Sequence, residues 1–395
     1  MCRPADGSVE AQVKVAVTIL VSCVAALLAL GMVMLYSSSM AQVGARYLMV
    51  QLVWGVLGII LCVTATLVDY RLLRKFAWPL LIAAVVLLAM VFVPHIGIRR
   101  NGATRWLGYG KASFLQPSEF AKLALIIALA WYGDLFQRQM PTLKRGILIP
   151  GVLIAAVLGL IFIEPDRGTT ILMASVSGSM LLLAGVRWVF IVPPILVALG
   201  GLAMSIWHDP MRIKRIFGWL YLEENKAGVG YQAYQAMLAL GAGGWFGLGL
   251  GNGRQKLGFV PEHHTDFIFS IIGEELGLIA TSLVIVAFLA IVCCGTYIAM
   301  NARDTFGLLL GAGITFLIGL QAFINIGVVT SALPNKGLPL PFISYGGSNL
   351  LVMLASVGLL LNIARQAREV DGVIRGMAIE GDVANPFARR TQPQT

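Results

Sequence analysis

Residues 267–299 read FIFSIIGEELGLIATSLVIVAFLAIVCCGTYIA, and this stretch decides the fold. A helix rises about 1.5 Å per residue, so roughly 20 apolar residues cross the hydrocarbon of a bilayer. The run is longer than that, is continuous rather than alternating, and holds only two charged residues, Glu274 and Glu275. It reads as a spanning helix and not as a barrel strand. Nine further runs share the pattern, at about 14–36, 47–68, 75–95, 118–135, 147–164, 169–186, 188–207, 306–329 and 348–364. The expectation is an all-α polytopic integral membrane protein of about ten transmembrane helices.

Composition agrees. Of 395 residues 58% are hydrophobic and 12% charged, where ordinary globular chains carry roughly 25% charged residues. The mean hydropathy is +0.84. A soluble enzyme, a secreted disulfide scaffold and a disordered hub are excluded. The net charge of +10 does not indicate nucleic acid, because no soluble basic domain carries it. Cys2, Cys23, Cys62, Cys293 and Cys294 lack metal-ligand spacing, and read as packing residues. The first apolar stretch is not followed by a small-residue cleavage site, so that span is expected to be retained.

The chain divides into a cytoplasmic segment 1–13, a membrane domain 14–364 and a cytoplasmic, mostly disordered tail 365–395. Ten spans put both termini on one side. With the long loop 208–265 omitted, fifteen Lys and Arg lie on that side and eight on the other, which makes the termini cytoplasmic. The loop 208–265, between spans 7 and 8, is then extracytoplasmic. So are Arg99, Arg100, Arg105, Lys111, Lys122, Arg167 and Lys336. Orientation does not account for cations on that face. They point to an anionic ligand such as a phosphate, or to anionic lipid headgroups.

Ionisable residues inside spans are costly, by roughly 2.5–3.5 kcal/mol each on insertion scales, and so mark cavities or bundle interiors. In Gln116–Lys122, Glu119 and Lys122 lie three apart on one helix face. They either neutralise each other or leave Lys122 to meet a phosphate. In Glu164–Thr170, Pro165 and Gly168 make a turn, where Asp166 either caps the next helix or belongs with Glu164 and Arg167 in a site. In Pro261–Gly277, Thr265 or Asp266 is placed to cap the helix that follows, and a carboxylate at that boundary is equally suited to general-base work. The adjacent His263 and His264 point apart, which argues against a two-histidine metal site. In Leu333–Ser348, repeated prolines and glycines forbid a continuous helix. Such backbone survives at membrane depth only when buried in protein or lining a wet cavity. The glycine-rich 230–253 stretch lacks a nucleotide fingerprint and reads as a flexible, partly re-entrant flap.

Together, Arg105-Trp106, Gln116–Lys122, Glu164–Gly168, Gly230–Gly251, His264–Gly277 and Pro334–Ser348 resemble the SEDS family (shape, elongation, division and sporulation), which includes FtsW and RodA. The likeness covers about residues 15–365. Gly273–Gly277 and Asn335–Leu338 look closer to the division-type FtsW branch. Ala236 and Ala242 stand where serine is common in the family. The resemblance implies a peptidoglycan glycosyltransferase that polymerises lipid II at the outer face of the bacterial cytoplasmic (inner) membrane during cell division. It implies Asp266 as general base and undecaprenyl pyrophosphate as leaving group. Arg105, Trp106, Glu119, Lys122, Asp166, Arg167, Lys336 and Ser344 would bind substrate. The partners implied are a class B penicillin-binding protein transpeptidase and other division proteins. A divalent cation, Mg or Mn, could bridge the pyrophosphate, although no ligand cluster marks one. The rival readings are a lipid II flippase and a non-catalytic division scaffold.

Overall fold

The computed structural model describes residues 7–39, 44–100, 103–109, 112–260 and 264–383. Cys2, Arg3, Asn101, Lys111, Pro261, Glu262, His263, Arg389 and Arg390 lie outside the described residues. The helices in chain order are α1 (Gly7–Ser39), α2 (Arg46–Leu67), α3 (Leu72–Met90), α4 (Pro117–Leu135), α5 (Ile149–Ile163) and α6 (Arg167–Leu183). They continue with α7 (Trp188–Trp207), α8 (Pro210–Leu220), α9 (Tyr231–Gly243), α10 (Ile268–Met300), α11 (Thr305–Val329) and α12 (Gly347–Val383). Ten of these occupy the ten apolar runs. Among the described residues eight helical segments are long and apolar enough to span a bilayer. The two shortfalls are α4, which carries Glu119, Lys122 and Asp134, and α6, which has 17 residues. The chain is a multi-pass membrane protein.

Helices α11 and α12 form the centre of the bundle, and α7 its periphery. The most apolar part of α12 is 83% buried and that of α7 only 6%. Val189, Val197 and Trp207 face outward on α7, an apolar surface suited to the hydrocarbon of a bilayer. At one end of the bundle Asp304, which caps α11, binds Tyr70, Arg71 and Arg74. The other end gathers the non-helical backbone.

Two expectations need correction, and a stretch between spans takes a form of its own. The stretch 96–117 is an antiparallel sheet of β1 (Gly97–Arg100), β2 (Ala103–Tyr109) and β3 (Ala112–Leu115), so the protein is mostly but not wholly helical. Ile98 pairs with Trp106 and Leu107 with Leu115. These strands are too short and too mixed in polarity for the alternation of a strand to stand out in sequence. Helix α12 continues to Val383, so residues 365–383 of the tail are helical. Finally, neither Thr265 nor Asp266 caps α10. The helix begins at Ile268, its N-cap position is Phe267, and no side chain caps it.

The long loop is also more ordered than a simple flap, since α8 and α9 lie within it. Its glycine-rich part mends a break in α10. Gly277 has φ 77°, a left-handed conformation open to glycine, and it interrupts the helix. The backbone groups set free at the break are met by the loop. Leu248 and Gly249 donate to the carbonyls of Glu274 and Glu275, while Leu278 and Ile279 donate to Gly244 and Trp245. Broken helices persist in membranes only when such groups are satisfied. Side chains reinforce the join. Glu274 accepts from the amides of Arg254 and Gln255. Glu275 accepts from Lys256, Ser37 and the Gly251 amide.

Candidate functional site

The site is built on the 330–346 loop, whose polar backbone is tied down by side chains from distant helices. Asn325 of α11 donates to the carbonyls of Leu338 (2.6 Å) and Asp266 (2.8 Å). Gln321, one turn earlier, donates to the Pro339 carbonyl (2.9 Å). The Ser344 hydroxyl donates to the Thr265 carbonyl and accepts from the Leu340 amide, both at 2.7 Å. Gln51 of α2 holds Ser344 and Gly346, and the Tyr345 amide donates to the His264 carbonyl. Tyr47 stacks on His264 with centroids 4.9 Å apart. The segment carrying Asp266 and the loop carrying Lys336 are thereby fastened side by side.

Asp266 is half-buried beside Gly337. A Cβ at Gly337 would come within 2.3 Å of the Asp266 Oδ2, so only glycine leaves this carboxylate its place. Lys336 adjoins it in sequence, half-buried in the same loop. Across the loop, a Cβ at Gly168 would meet Leu338 at 3.1 Å, which sets the start of α6 against the same loop.

That start carries Asp166 and Arg167. Asp166 caps α6: its carboxylate accepts from the Thr169 amide (3.2 Å) and hydroxyl (2.9 Å). The capping alternative therefore holds, and Asp166 remains within 4.0 Å of Arg105 Nη1 as well. The sheet delivers Arg105, which donates to the carbonyls of Glu164 (3.3 Å) and Pro165 (2.7 Å). Trp106 is the next residue on β2, half-buried, and the strand pleat turns it to the other face. Arg167 is 8% exposed, its guanidinium 4.9 Å from the Phe162 ring, with Nε and Nη1 unpartnered among the described residues.

Glu119 and Lys122 form a separate, deeper network. Lys122 is completely buried, pairs with Glu119 at 2.7 Å and donates to Gln321 Oε1 at 2.9 Å. Asn349 donates to Glu119 at 2.8 Å. The two charges neutralise each other, and through Gln321 the pair supports Pro339 of the site loop. Sequence reasoning passed over Gln321, Asn325, Asn349 and Gln51. Polar amides inside apolar spans were the available signal, with Gln321 and Asn325 four apart on one face.

Two groups here are displaced in acidity. Burial, followed by the charge of Asp166, pushes the Glu164 carboxyl up to about 8, and Arg105 opposes it. Both its oxygens are buried without a partner among the described residues. Burial, followed by Arg167, Arg215 and Arg212, lowers the Lys336 ammonium to about 8. Among the described residues no three His, Cys, Asp or Glu side chains converge to hold a metal ion. The arrangement sets a carboxylate beside a cluster of cations at the mouth of a membrane bundle.

Residues 17–369 match the cell cycle protein family of FtsW, RodA and SpoVE. The chain belongs to this family. A probable peptidoglycan glycosyltransferase FtsW of Trichlorobacter lovleyi is 42% identical over 88% of this chain and 92% of its own length. The stage V sporulation protein E of Bacillus subtilis is 39% identical over 87% of this chain and 95% of its own. Several FtsW proteins of Geobacter species match at about the same level, which puts this SEDS chain in the FtsW branch. Among solved structures, a chain of a peptidoglycan synthase complex superposes with a TM-score of 0.75 at 28% identity, covering 88% of this chain and 97% of that one. The rod shape determining protein RodA of Thermus thermophilus superposes with a TM-score of 0.66 at 29% identity, covering 88% and 96%.

Proposed function

We propose that this SEDS protein is a peptidoglycan glycosyltransferase that polymerises lipid II at the outer face of the bacterial cytoplasmic membrane during division. The observation that carries the reading is the juxtaposition of Asp266 with the Lys336-Gly337 loop and the cationic start of α6. The Asp266 carboxylate accepts the proton of the 4-hydroxyl on the acceptor's terminal sugar. That oxygen attacks the anomeric carbon of the lipid-linked growing strand, and the bond to the pyrophosphate breaks. Undecaprenyl pyrophosphate leaves with the bonding pair, its growing charge met by Arg167 and Lys336. Fixed charges of this kind cost little reorganisation and act where water is scarce. Arg105 and Trp106 hold substrate from the sheet, and Asp166 orders the turn that presents Arg167. Glu119 and Lys122, through Gln321, and Ser344, through Thr265, keep the two halves in register.

Both termini lie in the cytoplasm and the ten long helices all cross the membrane, as the distribution of Lys and Arg supports. Residues 14–364 form the membrane domain, with 208–265 on the outer side. The working partner is a class B penicillin-binding protein, which crosslinks the strands, alongside other division proteins.

The test is reconstitution of the chain with that partner in liposomes supplied with lipid II. Glycan chains, resolved by length, support the reading. Lipid II translocation without polymer would replace it with a flippase, and neither activity would leave a scaffold.

A further inference from the structure

The long loop also contributes to the end of the bundle that carries Lys336. Helix α8 is amphipathic, with Met211, Phe217 and Leu220 exposed among Arg212, Lys214 and Arg215. Such a helix lies in the interface between headgroups and acyl chains. Arg212, Arg215 and Trp219 follow one another at three- and four-residue steps, on one face. Trp219 donates its indole N–H to the Ser331 carbonyl at 2.8 Å, so this face is turned toward the loop that carries Lys336. Arg212 is steadied by Asp209 (2.8 Å) and by the Ser205 carbonyl and hydroxyl. Arg215 is exposed.

The charges near this point do not balance. Arg212 repels both Arg167 and Lys336, and Arg215 repels Lys336, while the carboxylates acting on this group of cations are Asp166, Asp209 and Glu164. Asp166 is engaged as a helix cap and Asp209 is paired with Arg212. The carboxyl of Glu164, at about 8, is mostly uncharged at neutral pH. Arg167 is buried and Lys336 half-buried, and the cations gathered around them repel one another unless an anion joins them. Arg167, buried, with two nitrogens lacking partners among the described residues, is the group most in need of one.

We infer that Arg212 and Arg215 of α8 complete, with Arg167 and Lys336, a four-cation site for the diphosphate of a polyprenyl-linked lipid at the membrane surface. Two guanidinium groups from an interfacial helix and two cations from the bundle would grip a diphosphate from opposite sides. Guanidinium forks suit phosphate oxygens in paired hydrogen bonds. A lipid-borne diphosphate reaches the site along the membrane plane in which α8 lies. The inference rests on the reading of the site given above and adds residues that the sequence motifs do not include.

The experiment is equilibrium binding of undecaprenyl diphosphate to the purified full chain in phosphatidylcholine nanodiscs. The variants are Arg212→Gln, Arg215→Gln and the pair, with Lys214→Gln on another face of α8 as the control. Each single change is expected to weaken binding about tenfold and the pair about a hundredfold, as loss of charge-assisted phosphate contacts implies. Lys214→Gln is expected to bind within about twofold of wild type, and Arg215→Gln, at an exposed position, to fold normally. Binding by the double variant within about twofold of wild type would overturn the inference. A second arm adds phosphatidylglycerol to the nanodiscs. If it displaces undecaprenyl diphosphate from wild type at equal concentration, the cations serve lipid headgroups in general and the diphosphate assignment falls. Asp266→Asn separates the two readings, since it should bind undecaprenyl diphosphate as wild type does. Binding without polymerisation by wild type would sink the catalytic reading and keep the cation site. Polymerisation with normal binding by the double variant would sink the cation site alone.

Discussion

Lys122 and Arg167 are both buried cations near the start of a membrane helix, and their surroundings differ sharply. Lys122 has a carboxylate at 2.7 Å and an amide oxygen at 2.9 Å. Arg167 has two nitrogens without partners among the described residues, and a further cation, Arg212, acts on it. The Glu274–Glu275–Lys256 cluster sides with Lys122, each carboxylate being met by amides, a hydroxyl or an ammonium. A saturated buried charge holds elements together, whereas an unsaturated one at the mouth of a bundle is kept for something that arrives. In this chain the saturated sets fasten the loops, and the unsaturated set borders Asp266.

Breaking a saturated pair on one side should produce the largest effect. Lys122→Met strands Glu119 without its cation and is expected to cost about 3–5 kcal/mol. Lys122→Met with Glu119→Gln should recover most of that loss, and thermal unfolding in detergent measures both. A double variant that is stable yet inactive would move the pair from support to direct substrate handling. Next comes Gly337→Ala, whose new methyl must displace the Asp266 carboxylate. Misplacing a reacting group by about 1 Å can cost on the order of 10²-fold in rate. Polymerisation should fall by that order while the unfolding temperature stays nearly unchanged. Ser344→Ala removes the hydroxyl between Thr265 and Leu340 and should destabilise by about 1–3 kcal/mol, a buried amide being left unmet.

The smallest expected effect lies on the unsaturated side. The Glu164 carboxyl is raised from 4.5 to about 8, so the folded state keeps its proton where the unfolded chain has lost it. Stability contributed at this position is therefore complete below about pH 4.5 and declines as pH rises toward 8. Glu164→Gln should flatten the fall in unfolding temperature over that window. An unchanged pH profile would mean that Glu164 is ionised and engaged. The Lys336 ammonium, lowered to about 8, remains charged below that pH, so diphosphate binding should weaken as pH climbs past it.

Much of this was legible from the residues. Long apolar runs set the helices, and prolines and glycines between 333 and 348 announced irregular backbone beside a cavity. Asp266, Asp166 and Arg167 stood out because charge is expensive next to such runs. What stayed hidden depended on partners far along the chain. Nothing around Asn325 says that it will meet Leu338 and Asp266. The role of the 244–249 backbone appears only once Gly277 breaks α10 and frees groups for it to meet. The sheet of 97–115 was missed because its strands are short and their alternation is blurred by bulges. Arg212 and Arg215 carry no motif in the sequence, and only the bond from Trp219 to Ser331 shows which way their helix face turns.

The central claim is that Asp266 takes the proton in glycan polymerisation, and the most direct measurement is glycan synthesis from lipid II by Asp266→Asn, reconstituted with the partner transpeptidase. Asparagine is nearly isosteric with aspartate and the N-cap position of α10 is Phe267, so the change removes the basic carboxylate and keeps the shape of the side chain. The account predicts a loss of at least about 10²-fold in polymerisation, on the scale of general-base catalysis, with unchanged expression, unfolding temperature and partner binding. Polymerisation at the wild-type rate would contradict it and remove Asp266 from the chemistry.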